Sequence, residues 1–136
     1  MKYVSVKAVA NVLASNKGII YYDLDDNRFY PSVSDTNNQM HNYRVESLEY
    51  VGEDSFRLYI AERGMDEVTD ELTVANFKQI AYNLNNYEYT DMNDNGINDL
   101  RDIWDEFEDA MVEYIGVRAD NKTVVVQTDY EQYEED

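Results

Sequence analysis

Any fold open to this chain must place 29 Asp and Glu side chains with only 11 Lys and Arg to neutralise them. The formal net charge is -18 over 136 residues, and it strains every compact arrangement by self-repulsion. A chain that carries this cost can put the field to use. The imbalance peaks between Glu88 and Glu113, where ten carboxylates face one basic residue, Arg101. A field of this sign attracts basic surfaces and metal cations, and it repels nucleic acid and anionic membranes.

Base composition does not account for the imbalance. Asn (14) and Tyr (13) are both frequent, as in chains from AT-rich genomes. Lys shares its first two codon letters with Asn, so the same bias should raise Lys, yet Lys occurs five times. Basic residues have been kept out. A generally acidic surface, or a halophilic origin, would also give a high net charge; so much Asn and Tyr speaks against the second.

Hydrophobic residues make up 43% and aromatics 13%, enough for a real core despite the charge. The expectation is one globular domain over 1–128 and an acidic, mobile tail over 129–136. With no cysteine there is no disulfide framework, thiolate metal site or Cys nucleophile. The N-terminus lacks the apolar run of a signal peptide, and nothing approaches the roughly 20 apolar residues of a membrane span. These features predict a cytoplasmic protein.

The spacing predicts a first helix from Ser5 to Gly18, with Val6, Val9, Ala10 and Leu13 on one face. Two short strands follow, Ile19 to Asp23 and Arg28 to Pro31, and then a polar loop over 32–42. Arg44 to Val51 and Ser55 to Glu62 form the clearest hairpin, because Phe56, Leu58 and Ile60 alternate with Arg57, Tyr59 and Ala61. An acidic connection covers 64–70. Thr73 caps a second helix reaching about Asn86. A third helix runs from Ile97 to Ile115, with apolar residues at i+3/i+4 spacing through Trp104, Phe107, Met111 and Tyr114. Val117–Arg118 and Thr123–Thr128 close the fold as a strand pair. The fold class is α+β: a small antiparallel sheet with about three helices packed on one face.

Projected at 100° per residue, the third helix carries Asp99, Asp102, Asp105, Glu106, Glu108, Asp109 and Glu113 away from its apolar side. Like charges at i,i+4 cost roughly 0.2–0.5 kcal/mol each. Asp102–Glu106, Asp105–Asp109 and Asp109–Glu113 all repeat that pair, with Arg101 offering relief only towards Asp105. Residues i and i+4 lie about 6 Å apart along a helix, and DNA carries one charge per roughly 3.4 Å of strand. Such a row is a coarse copy of a phosphate backbone, open to a protein that reads phosphates with Lys and Arg. These seven residues are the candidate partner-binding set.

The segment Asp91 to Asp102 has the spacing of an EF-hand-like calcium loop. Asp91, Asn93, Asn95, Asp99 and Asp102 stand at positions 1, 3, 5, 9 and 12, Ile97 would offer its carbonyl, and Gly96 would allow the sharp turn. Position 12 is Asp rather than Glu and position 8 is Asn98, so the loop resembles the short DxDxDG calcium repeats of bacterial proteins. Any calcium binding would be weak, towards roughly 10⁻⁴–10⁻³ M. The alternative is a turn followed by a capped helix.

Nothing points to catalysis. The one histidine, His41, falls in a polar loop, and there is no Gly-rich phosphate loop, HExxH or nucleophile elbow. Thirteen tyrosines suit core edges and a protein interface better than a nucleic-acid platform in a chain of this charge.

In size, charge and its carboxylate-studded helix the chain resembles the acidic DNA-mimic inhibitors made by phages and mobile elements. These include anti-CRISPR proteins, antirestriction proteins and inhibitors of uracil-DNA glycosylase. The resemblance is one of overall character. It implies a protein that blocks the basic groove of a nucleic-acid-handling enzyme such as a nuclease, without binding nucleic acid or membrane itself. A small calcium-binding module is the competing expectation.

Overall fold

The computed structural model describes residues 3–13, 19–30, 42–52, 55–62, 68–84, 86–97, 99–119 and 122–132. In chain order the elements are β1 (Tyr3–Val4), α1 (Val6–Ala10), β2 (Ile19–Asp23), β3 (Arg28–Tyr30), β4 (Arg44–Gly52), β5 (Ser55–Ala61) and β6 (Val68–Thr69). They continue with α2 (Val74–Ile80), β7 (Tyr87–Thr90), α3 (Leu100–Phe107), β8 (Val112–Val117) and β9 (Val124–Thr128). Helix and strand are mixed, as expected. Strand outweighs helix, however, and the one small antiparallel sheet gives way to larger, mixed sheets.

The first sheet has the order β3-β2-β5-β4. Its hairpins β2-β3 and β4-β5 fall where alternation places them. Phe56, Leu58 and Ile60 are fully buried, while Arg57 and Tyr59 between them stay half-exposed. A parallel pairing joins the hairpins, with Ile19 opposite Phe56 and Asp23 opposite Ile60. Gly52 ends β4 at φ +89°, a conformation that costs glycine little. The second sheet has the order β7-β9-β8, parallel between β7 and β9 and antiparallel between β9 and β8. A short parallel pair, β1-β6, completes the described strands.

Two helices begin where expected. Ser5 Oγ accepts from Ala8 N–H at 3.2 Å, and Thr73 Oγ1 accepts from Asn76 N–H at 3.1 Å. Both helices are shorter than expected. α1 ends at Ala10, with 14–18 outside the described residues, and α2 ends at Ile80 rather than about Asn86. Most of the polar loop at 32–42 and of the 64–70 connection also lies outside the described residues, as does His41.

The expected long third helix is corrected. α3 stops at Phe107, and a turn at 108–110 leads into β8. The first-turn N–H groups of a helix lack partners within it. Those of Val74 and Ala75 in α2 donate to the carbonyls of Ala110 and Glu108, and Val112 N–H donates to Leu72. α2 therefore holds the turn that ends α3. Of the residues that extended the helical pattern, Met111 bridges to Thr73, and Tyr114 and Ile115 belong to β8. The false signal has an identifiable source. A register shift between Val112 and Tyr114 interrupts the period of two. Val112 and Ile115 are both buried, with Glu113 and Tyr114 exposed between them, and a spacing of three reads as helix.

One cluster of buried apolar side chains draws on both larger sheets and all three helices, including Val9, Leu48, Phe56, Phe77, Phe107 and Val126. No helix among the described residues is long and apolar enough to cross a membrane.

Candidate acidic interface

α3 is a thinly anchored element. Of its eight residues only Phe107 is fully buried; Leu100, Ile103 and Trp104 are half-buried, and Arg101, Asp102, Asp105 and Glu106 are exposed. Phe107 sits in a chain of edge-to-face rings, 5.2 Å from Tyr89, 6.3 Å from Trp104 and 5.3 Å from Tyr130 between centroids. Tyr89 continues the chain to Tyr87 at 5.6 Å and Phe77 at 6.0 Å. These contacts fix which side of α3 faces inward, and so which side presents carboxylates.

The seven expected partner-binding residues do not form one helical row. Asp102, Asp105 and Glu106 are on α3. Asp99 precedes it in a left-handed conformation (φ 53°), and its side chain makes no capping bond. Glu108 and Asp109 lie in the turn after the helix, and Glu113 is on β8. Eight residues span about 12 Å, so Asp102–Glu106 is the one i,i+4 like-charge pair that stays within helix. Six of the seven are exposed and Glu108 is half-buried.

Four ion pairs join described residues: Lys7–Asp70 at 3.6 Å, Arg57–Glu49 at 3.1 Å, Arg44–Glu46 and Arg118–Glu88. None involves a residue from 99 to 113. Glu106 Oε2 accepts from the Tyr130 hydroxyl at 3.3 Å. Arg101 does not engage Asp105, the partner that the helical spacing offered. Carboxylates that face water without a paired cation leave a net negative field that only the surrounding salt screens.

The candidate metal loop is built around the Asp91 carboxylate. Asp91 is only 3% exposed. Its Oδ1 accepts from Asn93 N–H at 2.9 Å and Asn95 N–H at 3.0 Å, and its Oδ2 accepts from Gln132 Nε2 at 2.7 Å. Burial alone would raise its pKa; these three hydrogen bonds outweigh burial and hold the carboxyl below its ordinary value. Asn93, Asn95, Asp99 and Asp102 are exposed and Ile97 is half-buried. The left-handed residues are Asp94 (φ 64°) and Asp99, not Gly96. Among the described residues, no three or more His, Cys, Asp or Glu gather into a group fit for a metal ion. The loop is closed by Asp91 N–H donating to Asn95 O and Ile97 N–H donating to Tyr89 O.

Sequence reasoning missed residues that frame this surface. Over 129–132 the segment expected as a tail is tied down: Met92 N–H donates to Tyr130 O, Met111 N–H to Asp129 Oδ1, and Gln132 Nε2 to Gly96 O at 3.0 Å. Residues 133–136 lie outside the described residues. Strand β7, with Tyr87 and Tyr89 alternating with Glu88, carried a period-two signal in the sequence. Between β7 and α3 lies a 390 Å³ cleft lined by Lys78, Tyr87, Tyr89, Leu100, Arg101 and Trp104. Comparison with protein-family models, with curated proteins and with solved structures finds no match.

Proposed function

We propose that this chain is a non-enzymatic, acidic interaction protein that occupies the basic groove of a nucleic-acid-handling protein, such as a nuclease, in place of nucleic acid. One observation carries the reading. Asp99, Asp102, Asp105, Asp109 and Glu113 are exposed, and none is ion-paired among the described residues. A stretch of exposed carboxylates with one cation, Arg101, among them is costly in self-repulsion and suits a partner that supplies the cations.

The carboxylates stand on a short helix, a turn and a strand. They therefore do not make a single phosphate-like ladder. The partner is recognised by the negative charge that these residues concentrate between 99 and 113, with the aromatic cluster beneath α3 holding the helix in place.

Capture from a bacterial lysate tests this. The immobilised protein should retain identified nucleic-acid-binding proteins at low salt, and duplex DNA or RNA should displace them. Retention of no such protein, or retention that excess nucleic acid leaves intact, contradicts the reading.

A further inference from the structure

The cleft between β7 and α3 differs in character from the acidic, exposed side of α3. It is mainly aromatic and apolar, formed by Tyr87, Tyr89, Leu100 and Trp104, and both charged groups that line it are cations, Lys78 and Arg101. Its 390 Å³ lies within the range of about 300–1,000 Å³ usual for small-ligand sites. A recess of 370 Å³ shares Tyr87, Tyr89 and Leu100 and is lined also by Gly96, Ile97 and Glu88, so it offers room to the ring of a flat ligand and not to its anionic group.

The two cations are placed for different tasks. The Lys78 ammonium stands 4.7 Å from the centroid of the Trp104 ring, which fixes the indole at the cleft wall. Arg101 belongs to the most acidic stretch of the chain, yet it makes no ion pair among the described residues. A guanidinium offers a planar fork that fits a carboxylate or phosphate with two parallel hydrogen bonds. Its neighbours on the cleft wall are rings, which take a flat group by stacking.

We infer that this cleft binds a small planar aromatic anion: one ring system against Tyr87 and Trp104, and one carboxylate or phosphate on Arg101, with Lys78 adding positive charge from its place on the indole. The cations exclude a basic side chain of a protein partner. The net charge of the chain opposes any anion at long range, but exposed charges are screened over about 8 Å at physiological ionic strength, so the contacts within the cleft decide. The inference stands apart from the proposed partner surface and does not depend on it.

Trp104 is the one tryptophan of the chain, so its fluorescence reports on the cleft directly. The full chain is titrated with adenosine monophosphate and with 4-nitrobenzoate as aromatic anions. Adenosine serves as the neutral ring and inorganic phosphate as the bare anion. The inference requires saturable quenching by at least one aromatic anion, half complete below about 1 mM, with adenosine and phosphate at least about tenfold weaker. A response to the monophosphate alone identifies phosphate as the anionic group; a response to 4-nitrobenzoate alone identifies carboxylate. The double variant Lys78→Gln with Arg101→Gln changes two exposed side chains, and it should bind about tenfold or more weakly while melting as the parent does. Arg101→Gln alone, which leaves Lys78 on the indole, should weaken binding in the same direction. Linear, non-saturating quenching by every probe overturns the inference. So does adenosine binding as tightly as its monophosphate, or single and double variants binding as the parent does.

Discussion

At the scale of single residues, Asp91 is the hinge between loop, tail and β7. Its carboxylate accepts two backbone N–H groups and the Gln132 amide. Hydrogen bonds to a charged group are the stronger ones, worth about 1.5–3 kcal/mol each. Asp91→Ala should therefore destabilise the fold by about 2 kcal/mol or more in urea unfolding at neutral pH. Its acid behaviour has a definite sign. The folded pKa lies below the ordinary value of 3.8, so the carboxylate's contribution is complete above that value and is lost as pH falls through the folded value. In Asp91→Asn that part of the acid slope should vanish; an unchanged slope would place the acid sensitivity elsewhere. The aromatic residues divide in the same way. Phe107 is 0% exposed, and Phe107→Ala should cost about 3–5 kcal/mol. Trp104 was expected in the core by periodicity but is half-buried on the cleft wall, so Trp104→Ala should cost clearly less, about 1–2 kcal/mol.

At the scale of elements, the sequence was most legible where one face is buried and the partner is next in the chain. β2, β4 and β5 fall within a residue of their expected limits, because Phe56-Arg57-Leu58-Tyr59-Ile60 declares its face and a short turn returns the strand. The parallel pairings of β2 with β5 and of β7 with β9 were not legible, since local alternation carries no information about a distant partner. The acidic site was half legible. Six of the seven candidate carboxylates are exposed, as expected, but the helix meant to align them ends at Phe107, where contacts from α2 take over and a bulge in β8 imitates helical spacing. That change alters the energetics of the face. One like-charge i,i+4 pair remains, worth about 0.2–0.5 kcal/mol. Asp102 in the first turn favours the helix dipole, while Glu106 near the end opposes it, each by about 0.3–1 kcal/mol. Replacing Asp102, Asp105, Glu106 and Asp109 by Asn or Gln should thus move stability by less than about 1 kcal/mol in urea unfolding. A loss above about 2 kcal/mol would mean that these carboxylates hold the fold together rather than face a partner.

At the scale of the whole molecule, the net charge of -18 sets two salt dependences of opposite sign. Screening relieves self-repulsion, so the free protein should melt higher as sodium chloride rises from about 0.02 to 0.2 M. The same screening weakens attraction to a basic partner. Melting that is flat over this range would show that the carboxylates are too far apart to strain the fold. The most direct measurement of the central claim is the affinity for a captured nucleic-acid-handling partner, taken across a salt series with the parent and with the variant neutralised at Asp102, Asp105, Glu106 and Asp109. The account predicts that the parent's affinity falls steeply with salt, and that the folded variant binds at least about tenfold more weakly with a shallower slope. Equal affinity of parent and variant at every salt concentration, or parent binding indifferent to about 0.5 M salt, would contradict it.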